Sequence, residues 1–228
     1  MIFIAEIGLN YNSNVGLLHE LIRQAKLAGA DIAKFQLGWR AKKNDINYID
    51  DKIIKLIIKI SQYYEIEPMF SIITDEALEM IKKYNFRRYK IASRTLVENF
   101  SLAKKIIAEK KETFVSLGFW KNKNLPFKKD SKIKYLWCKS NYPTAPWELK
   151  KFPKKFRSSD ILGLSDHSIG IELSLIAISR GAQIIERHFT LDKSDTTIRD
   201  HALSLTPNEF KILVDNGKAI FKLLDKIK

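Results

Sequence analysis

A chain of 228 residues, 45% of them hydrophobic, is long enough for one well-buried domain and short for two. No apolar run approaches the roughly eighteen residues that a membrane span needs, so a membrane protein of the helical kind is excluded. The net charge of +14 invites a nucleic-acid reading, but the placement of the lysines argues against one and for an anionic small substrate.

Lys52, Lys55 and Lys59 fall at helical spacing among isoleucines, as one solvated face, and Lys218, Lys222, Lys226 and Lys228 repeat the pattern. The basic stretch Lys121 to Lys134 carries no recognition motif. The lone Cys138 has no partner for an internal disulfide, and its strand context suggests a buried thiol. The start, Met1-Ile-Phe-Ile-Ala-Glu-Ile-Gly8, puts Glu6 inside an apolar run and lacks a basic leader, so it reads as a strand. A cytoplasmic location is expected.

Expected strands are Ile2–Gly8, Asp31–Leu37, Pro68–Ile73, Arg88–Ser93, Thr113–Gly118, Lys134–Lys139, Ile161–Ser165 and Gln183–His188. Between them fall amphipathic segments at Val15–Ala28, Asp50–Tyr63, Asp75–Tyr84, Phe100–Glu109, Trp147–Lys151, Ile171–Arg180 and Pro207–Lys226. Thr206-Pro207 opens the last helix with a cap and a proline in its first turn. Eight strands alternating with helices and no linker predict a single α/β domain over residues 1–228, a (β/α)8 TIM barrel. Its fifth helix is reduced: residues 119–132 lack an apolar stripe, and Phe119, Trp120, Leu125 and Phe127 need burial, either against the barrel wall or in a subunit contact that would make a homodimer.

In a parallel barrel, chemistry gathers at the carboxyl ends of the strands. Read that way, the ends supply Glu6, then Lys34 and Gln36, then Lys90 and Ser93, then Ser116. The segment Ser140-Asn-Tyr-Pro-Thr144 follows the sixth strand, Ser165, Asp166 and His167 end the seventh, and Glu186 and His188 end the eighth. Two lysines in separate barrel strands need an anion, because a buried ammonium is costly alone. His167 and His188 lie 21 positions apart, one strand-plus-helix unit, which sets both imidazoles over one mouth. They are either hydrogen-bonded core groups or ligands of a divalent metal with open positions. His19, on the first helix, reads as a surface residue.

These residues sit in segments that resemble the N-acetylneuraminate (sialic acid) synthase family, with its legionaminic and pseudaminic acid synthases and spore-coat polysaccharide homologues. The matching segments are Ile4-Ala-Glu-Ile-Gly-Leu-Asn10, Ala28-Gly-Ala-Asp-Ile-Ala-Lys-Phe-Gln36, Tyr89-Lys-Ile-Ala-Ser93, Tyr142-Pro-Thr144, Gly163-Leu-Ser-Asp-His167, Gly181-Ala-Gln-Ile-Ile-Glu-Arg-His-Phe-Thr190 and Asp200-His201 followed by Ser204-Leu205. They run in order across nearly the whole chain.

The resemblance implies condensation of phosphoenolpyruvate with an N-acyl hexosamine, such as N-acetylmannosamine, to a nonulosonic acid and phosphate. It implies a divalent metal, manganese first with magnesium or cobalt as alternatives, on His167 and His188. It places Lys34, Lys90, Ser93, Ser116, Asn141 and Ser165 around phosphoenolpyruvate, Glu6 and Glu186 as acid/base carboxylates, and Gln36, Tyr142 and Asp200 toward the sugar.

The chain departs from the family pattern at Asn10-Tyr-Asn-Ser13, Ser71-Ile-Ile73, Ser93-Arg-Thr95 and Ser116-Leu-Gly118. The segment from Trp39 to Asp50 is short, and the family's antifreeze-like C-terminal domain is absent from the sequence. An open mouth, weak acceptor binding and a separate cap-domain protein are therefore expected. A non-catalytic binding or assembly subunit, and another metal-dependent lyase or aldolase, are the competing readings.

Overall fold

Eight parallel strands close on themselves in sequence order in the computed structural model, which describes residues 1–40, 42–156 and 160–227. They are β1 Ile2–Gly8, β2 Ile32–Leu37, β3 Glu67–Ile72, β4 Arg88–Ile91, β5 Glu112–Ser116, β6 Ile133–Cys138, β7 Ile161–Asp166 and β8 Ile184–His188. The expected TIM barrel is present.

Period-two alternation divides each strand between two environments. Ile4, Ile32, Met69, Phe114, Leu136 and Ile184 form an apolar layer inside the barrel, distinct from the larger core between strands and helices. Above that layer the inward positions turn polar, with Glu6 beside Lys34 and Ser165 beside Glu186 in register. Below it lies Arg88, ion-paired with Glu67 and Glu112. Gly163 permits the close approach of β7 to β8, since a Cβ there would stand 2.2 Å from the carbonyl oxygen of Ile184.

The helices are α1 Val15–Leu27, α2 Asp51–Tyr63, α3 Asp75–Ile81, α4 Ser93–Glu98, α5 Phe100–Ala108, α6 Glu172–Ser179 and α7 Pro207–Lys226. Helix α1 starts because Asn14 caps the amide of Leu17, and it buries Leu18, Leu21, Ile22 and Ala25 on one stripe. Thr206 and Glu209 form a reciprocal capping box at the start of α7. Lys52, Lys55, Lys59, Lys218, Lys222 and Lys226 are exposed, as expected, and Lys228 lies outside the described residues. Among the described residues no helix is long and apolar enough to cross a membrane.

Two units differ from expectation. Strand β4 stops at Ile91 rather than Ser93, and Ser93 instead opens the short helix α4. After β6, the helix expected at Trp147–Lys151 is only a 3-10 turn, Pro146–Glu148, because Pro143, Pro146 and Pro153 leave too little uninterrupted chain. Aromatic side chains cover the wall in its place: Phe152 packs edge-on against Trp137 at 5.0 Å and Phe156 follows at 5.8 Å.

The expected gap after β5 is likewise filled without a helix. Trp120 and Phe127 stack on Phe100 of α5 at 5.8 and 5.5 Å, and Leu125 joins the outer core. The segment thus folds back over the wall, the first of its two expected fates, while Phe119 alone turns to the mouth.

Candidate active site

The upper ends of the strands surround a cavity of about 660 Å3. Its floor is an ion network. Lys34 Nζ lies 2.7 Å from Glu6 Oε2 and 3.6 Å from Glu186 Oε2, and Lys90 Nζ lies 3.2 Å from Glu186 Oε1. Hydroxyls complete the shell: Lys34 donates to Ser71 at 3.0 Å, Lys90 to Ser116 at 2.8 Å, and Ser165 donates to Glu186 at 2.8 Å. Gln36 Nε2 donates to Glu6 Oε1 at 2.8 Å.

These charges are nearly dry, and each survives through its neighbours. Burial raises the carboxyl of Glu186, but Lys34 and Lys90 outweigh it and hold the pKa down to about 2. Lys34 is raised: burial works against its charge, and Glu186 and Glu6 more than offset it. Lys90 is lowered, chiefly by burial, with Lys34 adding to the effect.

One wall carries the imidazoles. The rings of His167 and His188 are 5.5 Å apart, and Tyr142 stacks 4.1 Å from His167. Burial, then the neighbouring His188, pushes His167 down to about 3, so it is neutral. Its Nδ1 lies 2.9 Å from the carbonyl oxygen of Lys139; in the neutral ring that nitrogen donates, leaving Nε2 as a free lone pair. His188 Nδ1 is buried without a hydrogen bond, 3.8 Å from Asp200 Oδ2. Two neutral imidazoles, one with an unfilled nitrogen, are donors of the kind a divalent cation takes. Among the described residues no group of three or more His, Cys, Asp and Glu side chains is placed to hold a metal ion.

The cavity gathers Glu6, Lys34, Gln36, Lys90, Ser93, Ser116, Tyr142, Ser165, His167, Glu186 and His188, as the strand ends predict, and Asp200, which only the resemblance implied. Asn141 does not join them: its side chain donates to Glu148 of the 3-10 turn and takes no part in the lining. Asp166 also faces away, because it occupies an outward position on β7. It pairs with the fully buried Arg187 at 2.7 Å and accepts from Ser168 and Ser174. Arg187 donates onward to the carbonyl of Ser168 at 2.7 Å, fixing the loop that carries His167. His19 is exposed against Tyr64.

Residues given no site role from the sequence also line the cavity. Ser71 and Cys138 belong to the inward alternation of their strands, a signal that was present. Trp39, Arg40, Arg94, Phe119 and Arg199 form the rim and belong to loops and short helices with no such periodicity.

The sequence matches the NeuB family over residues 41–228. The chain belongs to that family. It is 32% identical over 250 residues to the pseudaminic acid synthase of Campylobacter jejuni subsp. jejuni serotype O:2, covering 93% of this chain and 71% of the relative. It is 30% identical over 267 residues to the N,N'-diacetyllegionaminic acid synthase of the same organism, covering 100% and 78%. A crystal structure of the N-acetylneuraminic acid (sialic acid) synthetase of Leptospira borgpetersenii serovar Hardjo-bovis, in complex with citrate, superimposes with a TM-score of 0.83. The identity there is 26%, with 98% of this chain and 84% of that one aligned. The general kind of enzyme in this NeuB barrel is therefore a sialic-acid-type synthase.

Proposed function

We propose that this NeuB-family chain condenses phosphoenolpyruvate with an N-acyl amino sugar to a nonulosonic acid, releasing phosphate. The supporting observation is the pair of buried lysines, Lys34 and Lys90, at one dry cavity floor with Ser71, Ser116 and Ser165. A small ligand carrying both phosphate and carboxylate suits two ammonium groups flanked by hydroxyls. In the free protein Glu6 and Glu186 occupy the lysines. An incoming anion competes for both ammonium groups, which frees Glu186 and raises its basicity.

The enol carbon of phosphoenolpyruvate bonds to the sugar's carbonyl carbon, whose oxygen takes up a proton, and C2 is left cationic. Glu186 stabilises that charge and takes a proton from the water that adds to C2. Loss of phosphate from C2 then gives the keto acid. His167 and His188 would hold a divalent cation, manganese by preference, which when bound supplies Lewis-acid polarisation of the acceptor's carbonyl. Tyr142, Asp200 and Gln36, which Glu6 orients, face the acceptor. Phosphate release with phosphoenolpyruvate, manganese and a panel of N-acyl hexosamines tests the reading. Release with an acceptor and none without it is expected; no release with any acceptor, in a chain that also fails to bind phosphoenolpyruvate, would sink it.

A further inference from the structure

Charge is not spread evenly around the barrel. Residues 119–156 hold eleven lysines against two carboxylates, Asp130 and Glu148, and so carry +9 of the chain's net +14. Both carboxylates are engaged by local amides. Asp130 accepts from the backbone N–H of Lys132, and Glu148 accepts from the side chain of Asn141 and the backbone N–H of Ala145. Elsewhere surface lysines find carboxylate partners, as in Lys55–Asp51, Lys105–Asp75, Lys193–Glu209 and Lys211–Asp215. Among the described residues no lysine of 119–156 forms an ion pair.

The two stretches that hold this charge are the two that stand where helices are missing, after β5 and after β6. They lie side by side, because both pack on the outer side of β6. The hydroxyl of Tyr135 on that strand accepts from the backbone N–H of Phe127 at 3.3 Å, and Trp137 meets Phe152 at 5.0 Å. With these aromatics turned to the wall, Lys121, Lys123, Lys128 and Lys129 of the first stretch are exposed. So are Lys150, Lys151, Lys154 and Lys155 of the second. Trp147, on the 3-10 turn before them, is 80% exposed.

The kind of cation narrows the partner. All nine arginines of the chain lie outside this region. Protein interfaces are rich in arginine and poor in lysine, and paired contacts to phosphates or bases use the forked guanidinium. Lysine is a hydrated point charge on a mobile stem, suited to a diffuse anionic surface that it can approach without losing its water. A tryptophan beside such charge is a side chain that settles at the headgroup level of a bilayer. We propose that this flank docks the barrel peripherally on an anionic lipid bilayer, through the lysines of both stretches with Trp147 beside them. The contact is independent of the chemistry at the mouth and can be measured without substrate.

Vesicle flotation with the full chain tests it, using phosphatidylcholine alone and phosphatidylcholine with about one third phosphatidylglycerol. Binding to the anionic vesicles and not to the neutral ones is expected at about 0.1 M salt, fading at about 0.5 M. Replacing four flank lysines together (Lys128→Gln, Lys129→Gln, Lys150→Gln, Lys151→Gln) should weaken it about tenfold or more. The same loss of charge on other faces (Lys52→Gln, Lys59→Gln, Lys218→Gln, Lys222→Gln) should change it by less than about twofold. All eight side chains are exposed, so neither set disturbs the core. No binding to anionic vesicles at the lower salt, or equal losses in the two sets, would overturn the proposal. Tighter binding of polyglutamate or a DNA duplex than of the vesicles, lost in the flank set, would overturn it too and give the flank to a polyanionic chain.

Discussion

One barrel holds two clusters of charge, separated by a single apolar layer, and they behave differently. At the lower end Arg88 bridges Glu67 and Glu112, whose side chains keep 21% and 27% of their surface in water. All three come from consecutive strands, and the guanidinium also rests 5.8 Å from the ring of Phe114. At the upper end Lys34, Lys90, Glu6 and Glu186 come from β1, β2, β4 and β8 and are only 3–6% exposed. The lower cluster ties neighbours together and relaxes into solvent when disturbed. The upper one holds charges in a dry place with a cavity beside them, which is useful for binding and expensive if a partner is lost.

Arg187→Ala should have the largest effect on stability, about 3–5 kcal/mol, because it strands Asp166 in a fully buried position. Arg88→Ala should cost less, about 1–2 kcal/mol, since water can reach its glutamates. Urea unfolding of both variants checks the order, and a larger loss at Arg88 would break the contrast between a dry ion pair and a wetted one.

For ligand binding the same contrast runs between Lys90 and Arg88. Lys34→Ala or Lys90→Ala should weaken phosphoenolpyruvate by about 2–3 kcal/mol in titration. Arg88→Ala, Lys55→Ala and Lys222→Ala should leave it unchanged. Uniform losses at all five positions would reduce the floor to diffuse attraction.

A smaller effect is expected on the wall. Replacing Trp120 and Phe127 together with serine should cost about 1–3 kcal/mol through the lost stack on Phe100. The sedimentation coefficient should not change, because those rings are spent inside the chain; a shift to a lighter species would revive the subunit-contact reading.

The smallest effect concerns Cys138, whose thiol lies at the edge of the upper cluster, 3.7 Å from His167 Nδ1. Burial pushes it from 9.0 up to about 11. Below that it stays protonated when folded, so thiol reagents should label the native chain slowly at pH 8. Between pH 9 and 11 the unfolded chain loses this proton first, so this group's contribution to stability falls as pH rises. Rapid labelling at pH 8 would show that the floor is wetter than its burial implies.

Much of this was legible because a strand's period is rigid. Once β2 is known to place Lys34 inward, Ile32 and Gln36 follow, and similarly Glu186 implies Ile184 and His188. Asp166 shows the limit of reading strand ends as a set: one step along β7 from Ser165 reverses the side chain. Asn141 lies beyond the strand, where a loop contact with Glu148 decides its direction. Helix α4, at six residues, is too short to display an apolar stripe, and the arginine it carries was invisible as a rim residue for the same reason.

Strand β8 serves two masters within five residues. Glu186 and His188 face the cavity while Arg187, between them, anchors the outer layer. A slip of one residue in its pairing would push the guanidinium into the ligand space and turn the acidic and imidazole groups toward the helices. That leaves almost no neutral substitution along this strand, so attempts to redirect ligand choice belong on the loops bearing Trp39 and Phe119 and on helix α4 with Arg94. There a side chain can be exchanged without moving the ion network beneath it.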